Sequence, residues 1–443
     1  MLRTAPVAPV LLLVVALHAC SSARSNPTVP LAMMPSRHVL PNGVRVLVQE
    51  QRSSAVVALQ LWVAAGGRDE AASELGLAHF LEHVVFKGTS TRPLGAIDRE
   101  VEGVGGRINA ATSLDYTYYH MLLPVAQATA GIETLADIAI NASFDETALE
   151  REKLVVLEEM RRAEDNPGIS LLRTLYALVF ERHPYGRRVI GTPELVRGLT
   201  RDGINAFYRR HYTSRAFTLV VVGAMRPADV VDVATRAFSV IPRGGDARLP
   251  IPLPPPAHRR VVEMTRPGAH AYLALGWPGP RLDHVDMPAV DLLVTILGQM
   301  PSSRFPRALR DRLGLVNSIT TGYSPLEAGG IVSVSAQLAP GALPRTESEI
   351  VAEVRRVQAE GVSEAELRRA LTHEEADYEF SYETVEGRAR RLGRAETVWR
   401  VEEEVAYVDR LRSVTREQIR AAARRYLDAD QYARVTFVPG ARP

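Results

Sequence analysis

The sequence predicts two homologous α+β domains, and its length, an internal repeat and a proline-rich bridge carry that expectation. At 443 residues the chain exceeds what one hydrophobic core ordinarily organises, so two domains of about 200 residues are expected. "LTRDGINAFYRRHYTSRAFTLVVVGA" at 199–224 is matched by "VTREQIRAAARRYLDADQYARVTFV" at 414–438. Thr200 and Thr415, Arg201 and Arg416, Ile204 and Ile419, Ala206 and Ala421, and Arg209 and Arg424 share one offset of 215. Each copy opens with a threonine that can cap a helix, Thr415 with Gln418 forms a capping box, and each copy ends in a β-rich run. Between the copies, "IPRGGDARLPIPLPPPAHRR" at 241–260 has the composition of an interdomain linker. The expected domains are 37–243 and 259–440, joined by 244–258.

The chain opens on a targeting segment. Arg3 precedes an eleven-residue apolar run, Val7 to Leu17, which is short for a membrane span and suits a signal-peptide core. The following "LHAC" places Leu17 three positions before Cys20 and resembles a bacterial lipobox, whose cysteine is lipidated. Residues 1–20 then read as a lipoprotein signal peptide and 21–36 as a tether. Ser21 suggests the periplasmic face of the outer membrane of a Gram-negative cell, with the lipid as the only membrane attachment. Cys20 is also the only cysteine, so no intramolecular disulfide and no cysteine metal ligand is available.

"GLAHFLEHVVFKGT" at 76–89 sets two histidines and a glutamate inside an apolar run. On a helix, Leu77, Phe80, Leu81, Val84 and Val85 share one face, while His79, Glu82 and His83 cluster on the other. Histidines four residues apart point the same way and can hold one zinc ion, with Glu82 beside them. This is the inverted H-x-x-E-H arrangement. Catalytic zinc takes three protein ligands, so a third must come from elsewhere. "FDETALEREKLVVLEEMRRAEDNPG" at 144–168 supplies candidates, with Asp145 as N-cap and Asn166–Pro167 as the stop. Glu152 and Glu159 lie two turns apart on a stripe with Val156, which favours their burial, whereas Glu150 and Glu158 fit a solvated face. "GGRINAATSLDYTYYH" at 105–120 reads as a glycine-rich turn followed by a strand.

These stretches, with "LPNGVRVLVQEQ" near residue 40 and "HPYGRRVIGTPE" at 183–194, resemble the insulinase and pitrilysin group of zinc metallopeptidases. The likeness is strongest to the short bacterial and mitochondrial-processing-peptidase branch. The resemblance implies a metallopeptidase-like αβ roll, in which each domain is a mixed, mostly antiparallel sheet flanked by helices. It implies one Zn2+ per chain, held by His79, His83 and Glu159, the last standing 76 residues beyond His83 as in the family. Glu82 would take a proton from the attacking water and deliver it to the leaving nitrogen. Glu152 would accept the second ring proton of a ligating histidine. The strand at 105–120 would be the edge on which a peptide substrate pairs, with Asn109 and Ala110 closest to the cleaved bond. His183 reads as a loop histidine fixing local structure.

The second domain lacks an H-x-x-E-H motif. Its "SSRFPRALRDRLGLVNSITTGY" at 302–323 resembles the family segment where an arginine and a tyrosine seven residues later grip substrate. Arg310 fits the first role, but Asn317 stands at the second position, and Tyr323 lies too far along to replace it. The resemblance therefore implies a heterodimer with a related subunit lacking the zinc motif, the pair enclosing a chamber that admits unfolded peptides. The expected function is a zinc endopeptidase at the cell envelope. The competing expectation is a non-catalytic assembly subunit that keeps the fold. A formal net charge of +2, with Arg and Glu interspersed, gives nucleic-acid binding no support.

Overall fold

The computed structural model describes residues 34–245 and 248–440. Cys20 and the expected signal segment lie outside the described residues, as does the expected tether up to residue 33. Regular structure begins inside the expected tether, because Ser36 pairs with Val48 in the first strand ladder.

Strands β1 (Ser36–Val39), β2 (Arg45–Glu50), β3 (Val56–Val63), β4 (Arg107–Thr112), β5 (Thr117–Pro124) and β6 (Phe217–Gly223) form a sheet ordered β1-β2-β6-β3-β5-β4. Strands β7 (Arg260–Arg266), β8 (Ala271–Gly279), β9 (Val316–Pro325), β10 (Gly330–Leu338) and β11 (Ala433–Pro439) form a second, ordered β7-β11-β8-β10-β9. Apart from the extra β1, the order is the same. β6 and β11 each run parallel to one neighbour, β2 or β7, and antiparallel to the other, β3 or β8. All other pairings are antiparallel, so both sheets are mixed and mostly antiparallel, as expected.

The helices that matter for the site are α1 (Leu77–Val85), α2 (Glu146–Asp165), α3 (Pro167–Phe180), α4 (Arg201–His211), α5 (Val385–Val398) and α6 (Arg416–Tyr426). The repeat is visible in α4 with β6 and in α6 with β11: Thr200 and Thr415 each accept a backbone N–H, from Gly203 and Gln418.

The central strands are apolar on both faces because both faces are covered. Leu59, Leu61, Leu219 and Val221 share one core with Phe80 and Leu81 of α1 and Val156 of α2. Leu47, Ala58, Trp62, Val220 and Val222 point the other way and meet Val385, Ala389, Leu392 and Ala395 of α5, a helix from the far half of the chain. The exchange is reciprocal, since Leu171, Leu175 and Val179 of α3 cover Ala274, Val435 and Phe437 of the second sheet. A polar seam adds to the interlock. Arg248 in the linker bonds Asp69 and Glu327 and donates to the Asp115 carbonyl, while Tyr185 donates to Asp115 and accepts from the Ala328 N–H.

Candidate metal centre

Helix α1 is placed by its ends. Gly76 caps it at φ +93°, where a side chain would strain the backbone, and a Cβ there would also meet the Ile190 carbonyl at 2.7 Å. Gly191 approaches from the other side under the same constraint, since its Cβ would meet the Leu75 carbonyl at 2.4 Å. The glycine of "VIGTPE" thus lets that loop pack on the start of α1. Glu70 completes the end by accepting N–H bonds from Gly76 at 3.1 Å and Ala78 at 2.8 Å. Burial pushes its carboxyl up to about 8, against the pull of those two N–H groups. Leu77, Phe80, Leu81, Val84 and Val85 are buried, so His79, Glu82 and His83 are turned to the opposite side, as the spacing predicts.

Helix α2 brings the glutamates. Asp145 caps it by accepting from the Ala148 N–H at 2.9 Å, and Asn166 ends it. Val156 is fully buried and anchors the stripe. Burial is not shared along that stripe: the Glu152 side chain is 13% exposed, but that of Glu159 is 48% exposed. The expectation of a buried Glu159 is therefore corrected, because the open side of the cluster lies at that end of α2.

The Nε2 atoms of His79 and His83 each lie 3.6 Å from the same Glu159 oxygen, Oε2, and the three residues' donor atoms all fall within 4.8 Å of one another. The two 3.6 Å separations exceed hydrogen-bonding distance and lie close to the roughly 3.4 Å that tetrahedral zinc sets between donors held at about 2.0–2.2 Å. Burial and the neighbouring His83 lower the His79 pKa to about 4, keeping that imidazole neutral and its lone pair available. Burial also opposes a charge on His83, but Glu159, Glu82 and Glu152 outweigh it and raise its pKa. A field that favours a proton there favours a divalent cation in its place. His83 Nδ1 donates to Glu152 at 3.4 Å, which turns Nε2 toward Glu159. Lys87 holds the other Glu152 oxygen at 2.9 Å.

Glu82 sits beside this cluster. Burial raises its pKa, while a hydrogen bond from Thr112 and the nearby His83 pull it back. Thr112 ends β4, and among the described residues β4 is the outermost strand of its sheet with β5 as its only partner. Asn109 and Ala110 lie on that strand, with Asn109 exposed. Arg310 and Asn317 are not brought to the cluster: Arg310 is exposed and bonded to Asp311, and Asn317 meets His270 at 3.3 Å. Tyr323 donates to the Pro280 carbonyl. His183 has a local role, accepting the Tyr185 N–H at Nδ1 and donating from Nε2 to the Pro252 carbonyl at 2.7 Å. Three contributors went unread in the sequence, namely Glu70, Lys87 and Thr112. Lys87 stood in the quoted motif, one turn beyond His83, where it shares that residue's face.

Comparison with known proteins gives the family and the fold. Residues 45–193 match the family described as "Insulinase (Peptidase family M16)", and 198–373 match the "Peptidase M16 inactive domain". A Mycobacterium leprae protein named as an uncharacterized zinc protease is 31% identical over 407 residues, covering 88% of this chain and 89% of that one. An Arabidopsis thaliana protein named "Probable mitochondrial-processing peptidase subunit beta, mitochondrial" is 34% identical over 200 residues, 45% of this chain and 38% of its own. The crystal structure of a protease from Helicobacter pylori superposes with a TM-score of 0.86 at 24% identity, over 91% of this chain and 99% of that one, and shows the shared fold. The chain belongs to the insulinase family, peptidase family M16.

Proposed function

We propose that this chain is a zinc endopeptidase acting on short or extended peptides at the bacterial cell envelope. The observation that carries the reading is the convergence of His79, His83 and Glu159 within 4.8 Å, with Glu82 beside them. Those three residues would hold the ion. When bound, zinc supplies a Lewis acid that acidifies water and polarises a peptide carbonyl. Glu82 accepts the proton of the attacking water and returns it to the departing amine. Glu152, held by Lys87, fixes the ring of His83. The free edge of β4 binds the peptide main chain, with Asn109 and Ala110 flanking the cleaved bond. Binding of that kind selects an extended conformation more than a sequence.

Residues 37–243 serve as the zinc-bearing domain and 259–440 as its homologous partner within the chain, with Cys20 as the lipid anchor at the outer membrane. The enzyme is complete as a heterodimer. Arg310 is exposed and bonded to its neighbour Asp311, and Asn317 stands where the family places a tyrosine. A relative named as a subunit supports a partner that supplies the missing grip. Asn317 is also the one observation favouring the second reading, a fold-retaining assembly subunit. Cleavage of a quenched mixed-sequence peptide library, by the chain alone and with a related subunit, tests the proposal. Activity that depends on the partner is expected. Full activity of the chain alone would remove the need for a partner, and none in either preparation would favour the assembly subunit.

A further inference from the structure

The bond between Thr112 and Glu82 joins the proposed base to the proposed substrate strand. Thr112 Oγ1 lies 2.7 Å from Glu82 Oε2. The proton on that bond can be assigned. Thr117, opposite Thr112 in the ladder, donates its single hydroxyl proton to the Ala65 carbonyl at 3.0 Å, and its contact with Thr112 is longer, 3.5 Å. An ionised carboxylate only accepts, so the Thr112 hydroxyl donates to Glu82. Thr117 is buried and committed to its carbonyl, which leaves the Thr112 proton free for Glu82.

We infer that Thr112 is a positioning residue for Glu82, pinning Oε2 to the last residue of the β4 edge so that Oε1 is the oxygen that carries the proton. A peptide docked on β4 and the base that activates water would then be set by one strand, and any shift of that strand would move both. The inference rests on the peptidase reading above.

The test compares Thr112→Ser, Thr112→Val and Thr112→Ala in the zinc-loaded full chain with its partner, reading kcat and KM separately, zinc content, and the Glu82 side-chain position in crystals. Thr112→Ser keeps the hydroxyl and is expected to keep kcat. Thr112→Val and Thr112→Ala are expected to lose kcat by up to about 100-fold, with KM and zinc content held, because misplacing a catalytic group by an ångström has effects of that order. In their crystals Glu82 should leave its wild-type position. Wild-type kcat in both hydroxyl-free variants, or an unmoved Glu82, would overturn the inference, as would a Thr112→Ser variant as slow as Thr112→Val. A wild type that cleaves nothing would overturn the peptidase reading instead, and the crystal comparison, which needs no turnover, would still decide the positioning.

Discussion

Glu152 shows how much of the candidate centre depends on groups that act through another residue. It accepts from His83 and is held in turn by Lys87. Glu152→Gln should weaken zinc affinity by about 10- to 100-fold while leaving the fold intact, a loss measurable by competition with a chelator. Glu70 supplies a separate pH effect. Its folded carboxyl is raised to about 8 by burial, so the folded state holds that proton more tightly than the unfolded chain does. The stability it contributes is therefore complete below about pH 4.5 and is lost as pH rises through about 8. Denaturant midpoints recorded across that window should fall with rising pH in the wild type and flatten in Glu70→Gln. Equal slopes in the two proteins would show that Glu70 does not bury its proton.

At the scale of elements, the sequence was most legible where one face of a helix is purely apolar. The α1 pattern located His79, Glu82 and His83 because the buried residues recur at helical spacing and leave those three together. Capping chemistry was equally readable at Asp145, Thr200 and Thr415. Asn166 was read only as a stop, yet it also accepts the Ile169 N–H and caps α3, with Pro167 at a position where a missing N–H costs nothing. Thr112 and Glu70 stayed hidden for a physical reason, because Thr112 acts through one contact and Glu70 through two, all 30 or fewer residues away, and no periodicity encodes them. Periodicity also says that a face is buried, but not against what. Leu175 of α3 is fully buried against the second sheet, where a Cβ on Gly276 would meet its Cδ1 at 2.9 Å. Leu175→Ala should lower stability by about 2–5 kcal/mol, seen as a shift in denaturant midpoint. Gly393→Ala should destabilise by about 1–3 kcal/mol or more from the opposite cause, overpacking, because the added Cβ would lie 2.0 Å from Trp62 Nε1.

Across the whole molecule, the repeat in the sequence announced two similar halves, and the shared strand order bears out their likeness. It did not announce that each half lends a helix to the other's sheet. Residues 37–243 expressed alone would leave Trp62, Val220 and Val222 without α5, so this fragment should lack a cooperative unfolding transition and regain one when mixed with 259–440. The interlock ties α1, packed on one face of the first sheet, to packing on the other face by a distant segment. Function in the proposed centre depends on a division of labour between ligands and base. Its most direct test is zinc content and peptide cleavage measured side by side on the wild type, Glu82→Gln and Glu159→Ala, each with the related subunit. The wild type should hold about one zinc and turn over, Glu82→Gln should hold zinc without turnover, and Glu159→Ala should do neither. Wild-type cleavage by Glu82→Gln, or full zinc affinity in Glu159→Ala, would contradict it.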